Sequence, residues 1–390
     1  MAKKTSKKTA KKKVSKKKPK KASASGGGDG FDEVLPELPP HDPPVPLESL
    51  VGQEQAIAML RASIDSGRLH HGWIFHGPWG VGKFTAALAF AAILLDPTSE
   101  SDLSGVVNPD PESRVQELLR TASHPDLHIV RKELARFSDD AKVRNQKMTT
   151  IAKDVIDKRL VLPSQLAATV TPGGLVSKVF IVDEAELIDP TVSNTLLKTL
   201  EEPPAGTVII LVTSSEDRLL PTIRSRCQRV AFAPLSDSDL RSWADGRKLD
   251  AAKDWDRLAM LAAGSPGRLL DAIETGVAAW PGELDTGLSA ADAGRFDPLL
   301  GPKMAELVDR WAAARVEAEP SRGKDAMNRQ AASRMLGFVA ERARLRLGVA
   351  GDIAVKQIDA VQAAESRIRR NLQMPVVFDA LVAELAAAAE

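Results

Sequence analysis

The chain has 390 residues, of which 43% are hydrophobic, with 53 basic and 52 acidic side chains, one cysteine and no tyrosine. This length suits two or three domains, and the hydrophobic fraction excludes wholesale disorder. A single cysteine excludes both a disulfide framework and a four-cysteine zinc module, and it is typical of a reducing compartment. The composition therefore predicts a globular protein without structural zinc.

The first residues differ sharply from the rest in charge. Residues 1–21 contain twelve lysines and no acid, and subtracting these from 53 leaves 41 basic groups against 52 acidic groups, a net charge of −11. Residues 1–30 have little to bury and repel one another, so we predict a disordered lysine-rich tail. It would bind DNA phosphates without sequence preference, with a purely solubilising tail as the alternative. Six prolines within 31–47 predict an extended linker.

The sequence has no segment suited to export or to a membrane. Ala, Ser and Gly follow the lysines instead of an apolar core, which argues against a secretory signal. The longest apolar stretch, 86–95, has 10 residues, about half of a bilayer span. We therefore expect a cytoplasmic protein with no membrane partner.

Residues 48–233 have the pattern of an α/β domain. Helical spacing of apolar residues over 53–64 comes before a short apolar strand at 73–75. Two more β-branched segments, 179–182 and 208–212, follow with helical stretches between them. Continuous apolar strands alternating with helices predict a parallel sheet covered on both faces.

The strand pattern ends at about residue 234. Beyond it the apolar spacing is helical, so we predict a small helical unit over 234–280 and a larger helical domain over 281–390. The chain is thus divided into a tail, a linker, an α/β domain and two helical units.

A glycine-rich segment follows the first strand and opens the next helix, which is the context that a phosphate-binding loop requires. Its sequence is Gly77-Pro78-Trp79-Gly80-Val81-Gly82-Lys83. The glycines let backbone N–H groups converge on phosphate oxygens, and the lysine and the helix N-terminus add positive charge. A strand-to-helix turn with no ligand is the alternative. We predict that this loop binds the phosphates of ATP.

The position after the lysine departs from the motif. The motif has Ser or Thr there because the hydroxyl is a ligand of Mg²⁺, whereas this chain has Phe84 followed by Thr85. One helical step turns a side chain by about 100°, so we do not expect Thr85 to reach the same ion. The loop predicts binding of ATP with Mg²⁺ and argues against efficient hydrolysis.

A second acidic motif, Asp183-Glu184, follows the apolar strand at 179–182. A carboxylate in this place holds Mg²⁺ directly or through water, and the adjacent Glu orients an attacking water. An ordinary acidic pair at a strand end is the alternative. Together with the loop at 77–83, the motif predicts a phosphate-loop ATPase, with Asp183 in the nucleotide site and Glu184 as a candidate catalytic residue.

Two later segments carry a resemblance to a known family. They read Asn194-Thr-Leu-Leu-Lys-Thr-Leu-Glu-Glu-Pro-Pro-Ala and Leu220-Pro-Thr-Ile-Arg-Ser-Arg-Cys-Gln. With the phosphate loop, they resemble the AAA+ clamp loader subunits of bacterial DNA polymerase III, the delta-prime class most closely. The resemblance implies an α/β AAA+ phosphate-loop domain with a parallel sheet (48–233), a small helical lid (234–280) and an all-α C-terminal collar (281–390) that forms oligomers.

The same resemblance implies roles for three further residues. Thr213, after the strand 208–212, matches the sensor of the γ-phosphate, and Arg268 matches the second sensor in the lid. Arg226 matches an arginine finger that acts on the ATP of a neighbouring subunit. A guanidinium placed in trans neutralises charge that develops on the transferred phosphoryl group. A solvated basic turn is the alternative for Arg226.

The resemblance also implies a function and partners. A delta-prime-like stator would help the ATP-dependent loading of a sliding clamp onto primer–template DNA, together with gamma/tau and delta subunits. The missing hydroxyl at Phe84 and the lack of a cysteine-rich zinc module argue against the motor role, so its own ATPase would be weak or absent. The alternatives are an autonomous AAA+ ATPase, a gamma/tau-like subunit, and a nucleoid DNA-binding protein in which the tail dominates.

Overall fold

The computed structural model describes residues 41–101, 107–144, 150–170, 173–189, 192–249, 255–318 and 323–389. The predicted tail at 1–30, and the linker up to residue 40, lie outside the described residues. No helix within the described ranges is both long enough and apolar enough to cross a bilayer.

The strands of the described residues form two sheets. Their bounds are β1 Gly72–His76, β2 Glu100–Ser101, β3 Val107–Asn108, β4 Leu127–Val130, β5 Lys178–Val182, β6 Thr207–Thr213 and β7 Gln228–Ala231. Five of them build a parallel sheet in the spatial order β4-β5-β6-β1-β7, and β2 and β3 form a separate antiparallel pair.

Helices make up most of the remaining structure. The α-helices of the described residues are α1 Glu54–Asp65, α2 Lys83–Leu95, α3 Arg114–Arg120, α4 Ala141–Arg144, α5 Lys153–Ile156, α6 Leu162–Gln165, α7 Ser193–Glu201, α8 Pro221–Arg224, α9 Asp237–Gly246, α10 Trp255–Ala262, α11 Pro266–Thr275, α12 Trp280–Asp292, α13 Leu300–Ala318, α14 Lys324–Leu345, α15 Gly351–Arg369 and α16 Met374–Ala387. A π-helical turn, Asp157–Val161, joins α5 to α6. Shorter 3₁₀ turns are Leu47–Ser49, Lys132–Phe137, Ala185–Leu187, Glu216–Arg218 and Val277–Ala279.

The parallel sheet is buried on both faces. Every residue of β5 and β6 is buried, and the side chains of a strand alternate between the faces. Ile210 packs with α2 in one core, whereas Ile209 packs with α7 in another. This confirms the prediction of an α/β fold with a covered parallel sheet, and it explains why these strands are continuously apolar.

The segment after β7 consists of helices joined by loops, with no strand among its described residues. One continuous apolar core joins its two parts, with Leu258 of α10, Met304 of α13 and Phe378 of α16 among its buried members. The largely helical C-terminal region agrees with the predicted fold class. The boundary at 280/281 falls at the first residue of α12 and stays a prediction, because the core runs across it.

Candidate nucleotide-binding site

The loop between β1 and α2 requires glycine at three positions. Gly77, Gly80 and Gly82 have φ angles of 143°, 81° and 102°, a region that residues with a side chain rarely adopt. Gly77 is also the most crowded, since a Cβ atom there would lie 2.1 Å from the carbonyl oxygen of Phe232. The loop therefore holds a shape in which its backbone packs directly against the end of β7.

Lys83 is the first residue of α2 and points back into this loop. Its Nζ donates to the carbonyl oxygens of Gly77 at 2.7 Å and Pro78 at 2.6 Å. Burial lowers the pKa of Lys83 to about 8, although Glu186 and Asp183 oppose the shift. The first intrahelical bond of α2 runs from Ala86 to Gly82, so the N–H groups ahead of Ala86 have no acceptor in the helix. An ammonium and free N–H groups at one helix start are suited to bind phosphate oxygens.

The start of α11 packs directly on the same loop. Gly267 N donates to Gly80 O at 2.8 Å, and Ser265 Oγ donates to Trp79 O at 2.9 Å. A Cβ atom on Gly267 would lie only 2.7 Å from the Cα of Gly80. Ser265 also caps α11 by accepting from Arg268 N at 3.2 Å. The helical segment after β7 therefore closes one side of the phosphate loop.

A cavity of about 950 Å³ lies beside the loop. It brings together most of the residues that the sequence singles out: Gly80, Gly82, Lys83, Phe84, Thr85, Asp183, Glu184 and Thr213. Gly77 and Pro78 lie outside this lining, and their carbonyl oxygens accept hydrogen bonds from Lys83 Nζ. Thr213 ends β6, is almost fully buried, and accepts a hydrogen bond from Ser215 N at 3.1 Å.

Two basic residues after β4 contact the acidic motif. Arg131 Nε lies 3.3 Å from Asp183 Oδ2, and its guanidinium carbon lies 4.4 Å from the centre of the Phe84 ring. Lys132 donates a hydrogen bond to Glu184 Oε2. Burial raises the pKa of Asp183 and of Glu184, while Arg131 and Lys132 respectively oppose the shift. Each carboxylate of the motif is therefore already paired with a cation of the same chain.

Arg268 turns away from the phosphate loop. Its guanidinium is directed to α14, where a Cβ atom on Gly337 would lie 3.9 Å from Nη1. Burial lowers its pKa, and Glu341 opposes this shift. Arg268 lines a second cavity, of about 230 Å³, together with Trp79 and Asp271. Its side chain therefore lies outside the lining of the large cavity, although its charge still helps to lower the pKa of Lys83.

Arg226 lies on the surface between α8 and β7, outside the lining of the large cavity. Its Nη2 is 2.6 Å from Glu201 Oε1, and Nη1 donates to Thr222 O at 3.0 Å. About 36% of its side chain is exposed. Its charge is therefore partly exposed, paired with Glu201, and outside the chain's own cavity.

Comparison with known proteins gives a consistent match for the α/β domain. Residues 52–236 match the model of the family described as DNA polymerase III, delta subunit. The match includes the phosphate loop, Asp183, Thr213 and Arg226, whereas Arg268 lies beyond it.

Curated relatives are similar over part of their length. The chain is 31% identical over 185 residues to DNA polymerase III subunit delta' of Bacillus subtilis, covering 47% of this chain and 48% of the relative. It is 31% identical over 212 residues to subunit delta' of Escherichia coli, covering 54% and 57% respectively. For subunit gamma/tau of Mycobacterium bovis, the identity is 31% over 208 residues, covering 51% and 30%.

These similarities confirm the predicted resemblance to delta-prime-like clamp loader subunits of DNA polymerase III. The chain spans about half the length of the delta' relatives it matches, and less of the gamma/tau relative. The match therefore concerns the α/β domain and does not extend over the C-terminal helical region.

The side chains of the cavity do not fit Mg²⁺. The ion prefers oxygen ligands in an octahedral arrangement, but Phe84 supplies none, and Asp183 and Glu184 are paired with Arg131 and Lys132. The loop and Lys83 fit a phosphate chain, but the second half of a magnesium–nucleotide site is not formed.

Sequence reasoning missed Arg131 and Lys132, although a signal for them exists. They directly follow β4, and β4 pairs in parallel with β5 so that Val130 lies opposite Val182. The next residues of the two strands, Arg131 and Asp183, must then lie side by side. Recognition of β4 as the neighbour of β5 would have placed the cation beside the carboxylate.

Proposed function

We propose that this chain is a stator subunit of the DNA polymerase III clamp loader, which offers Arg226 to the ATP of a neighbouring subunit. The proposal rests on a difference between Arg226 and the chain's own cavity. Arg226 lies at the surface outside its own cavity, while inside that cavity both carboxylates of the acidic motif are paired with basic side chains. These features suit a chain that assists ATP hydrolysis at a neighbouring subunit and does not hydrolyse ATP in its own cavity.

The pairing of Arg226 with Glu201 does not oppose this role. Both side chains are about a third to a half exposed, and exposed ion pairs contribute only about 0–1 kcal/mol. Arginine binds phosphate oxygens through two parallel hydrogen bonds, which are stronger than bonds between neutral groups. A triphosphate bound to a neighbouring subunit would therefore displace Glu201 from Arg226.

The partners follow from the family. We expect gamma/tau and delta subunits to flank this chain in a cytoplasmic assembly that places a sliding clamp on primer–template DNA. ATP would bind in the chain's own cavity through the phosphate loop, with Thr213 beside the γ-phosphate. Arg268 would need a movement of α11 relative to α14 to act as a second sensor. The lysine-rich tail at 1–30 would add contacts to DNA phosphates.

The test of the finger uses the reconstituted complex. Arg226→Ala should reduce DNA-stimulated ATP hydrolysis at the site it serves by about 10³-fold, since arginine fingers contribute 10³–10⁵ to turnover. The matched control is Arg229→Ala, whose side chain is 60% exposed and pairs with Glu216 at 3.1 Å. Single-turnover hydrolysis and clamp loading measure both variants. Normal hydrolysis by the Arg226→Ala complex would remove the finger assignment.

The isolated chain tests the competing hypothesis of an autonomous ATPase. With both carboxylates of the acidic motif paired to cations, we expect no Mg²⁺-dependent ATP hydrolysis above background. A measurable rate that disappears in Lys83→Ala would favour the autonomous enzyme over the stator.

A further inference from the structure

We propose that the cavity beside the phosphate loop is a metal-independent site for the polyphosphate chain of a nucleotide. In this site the guanidinium of Arg131 replaces the divalent cation. The proposal rests on the ATP binding proposed above for the chain's own cavity, but it does not depend on Arg226, so its failure would leave the arginine finger untouched.

The position of Arg131 is the first argument. Its guanidinium is enclosed between the ring of Phe84, 4.4 Å from its centre, and Asp183, whose Oδ2 lies 3.3 Å from Nε. These are the two sequence positions at which the phosphate-loop motifs place the ligands of Mg²⁺. A cation over an aromatic face is attracted by the ring quadrupole. The aromatic side chain that cannot bind a metal is therefore well suited to hold an arginine.

Arg131 also retains hydrogen-bonding capacity at its Nη groups. Its Nε is buried beside Asp183 in an ion pair without hydrogen-bond geometry, so a ligand would meet the two Nη groups and not Nε. Its side chain is 27% exposed and lines the cavity together with Lys83. A guanidinium has five donors in a planar fork that matches two oxygens of a phosphate group.

The two carboxylates of the acidic motif are offset by neighbouring cations. Asp183 and Glu184 would repel a phosphate chain if they were unpaired, and a divalent cation normally removes that repulsion. Here Arg131 and Lys132 pair with these two carboxylates, and Lys83 adds a cation at the loop. The rest of the lining carries charge of both signs, from Asp42, Glu133, Glu186 and Arg247. A divalent ion would meet the guanidinium and an aromatic ring that offers no oxygen. The carboxylates of the acidic motif therefore need no metal to offset their charge.

The test is equilibrium binding of ATP to the purified full chain, by calorimetry, in excess EDTA and in excess Mg²⁺. We expect the Kd in EDTA to be no more than about threefold weaker than that in Mg²⁺, a difference below 1 kcal/mol. A Kd that is tenfold or more weaker in EDTA, or no binding under either condition, would overturn the proposal.

Inorganic tripolyphosphate identifies the part of the nucleotide that is recognised. In EDTA it should displace ATP from the wild-type chain, because the proposed contacts are all to phosphate. Failure to displace ATP at concentrations well above the Kd of ATP would show that the base or ribose carries the binding, and would contradict a polyphosphate site.

Variants of Arg131 test the residue itself. Arg131→Ala should weaken ATP binding in EDTA by roughly tenfold or more, as expected for loss of a hydrogen bond to a charged group. Arg131→Lys keeps the charge but loses the fork, so it should bind with intermediate affinity. It also provides a testable variant if Arg131→Ala fails to fold.

The matched control is Arg315→Ala. Arg315 lies 5.3 Å from the centre of the Trp311 ring in the C-terminal helical region, so the variant removes a similar contact far from the cavity. Its ATP affinity should equal that of the wild type. Wild-type affinity in EDTA for both Arg131 variants would overturn the role of Arg131.

Discussion

The cavity beside the phosphate loop and the turn between α8 and β7 each place an arginine next to a carboxylate, but the surroundings differ. Arg131 is enclosed by the Phe84 ring and Asp183 within a cavity of its own chain. Arg226 pairs with Glu201 at the surface. The same guanidinium group therefore neutralises an internal site in one place and remains available to another molecule in the other.

The backbone around the two arginines differs in the same way. The phosphate loop is held by close backbone contacts, with Gly77 against Phe232 and Gly80 against Gly267. Within its turn, Arg226 N donates to Ile223 O at 3.1 Å and Nη1 donates to Thr222 O at 3.0 Å. The cavity is therefore built into the fold, whereas the finger depends on one side chain.

The largest effect that we expect from this difference is on stability. Gly77→Ala introduces a Cβ atom 2.1 Å from a backbone oxygen at a φ of 143°, and should lower the free energy of unfolding by about 3 kcal/mol. Arg226→Ala removes only an exposed ion pair and should cost less than about 1 kcal/mol. Urea unfolding followed by circular dichroism measures both variants.

Gly82→Ala is the control for the first effect. Gly82 also has a positive φ, 102°, but no atom lies within 4 Å of its added Cβ. It should therefore show the backbone strain alone, about 1–2 kcal/mol. Equal losses in the free energy of unfolding for Gly77→Ala and Gly82→Ala would mean that the contact with Phe232 relaxes freely. The loop would then not be held by close backbone contacts.

The central part of the fold could be predicted from the sequence, but its edges could not. The apolar strands predicted at 73–75, 179–182 and 208–212 correspond to β1, β5 and β6, because strands buried on both faces are continuously apolar. Strand β7 has one buried residue, Val230, because it lies at the edge of the sheet. Its short polar sequence gave no strand signal.

The candidate site shows a similar limit. Motif spacing was enough to gather Lys83, Asp183 and Thr213 around one cavity, since all three lie at the ends of neighbouring strands or at the start of α2. The orientation of Arg268 was not predictable, because it depends on how α11 packs against α14. The role of Arg131 was missed because it requires the order of the strands, which a motif does not contain.

A smaller expected effect is the pH dependence of ATP binding in the cavity. The pKa of Lys83 is lowered to about 8 by burial, so its ammonium is charged at pH 7 and largely neutral at pH 9. A phosphate chain binds the charged form, so ATP affinity in EDTA should fall by about tenfold from pH 7 to pH 9. Lys83→Arg is the control, since its guanidinium stays charged throughout and should give a flat profile. Parallel profiles for both proteins would assign the titration to another group.

The smallest expected effect comes from weakening the ion pair between Arg226 and Glu201. Glu201 must release Arg226 before the guanidinium reaches a neighbouring phosphate, and an exposed pair contributes up to about 1 kcal/mol. Glu201→Gln should therefore raise DNA-stimulated hydrolysis in the complex by up to about fivefold. Glu216→Gln, which weakens the pair with Arg229, should leave it unchanged. Glu201→Gln combined with Arg226→Ala should match Arg226→Ala alone. A fall in hydrolysis for Glu201→Gln would instead mean that the carboxylate positions the finger, and that the turn is as pre-organised as the cavity.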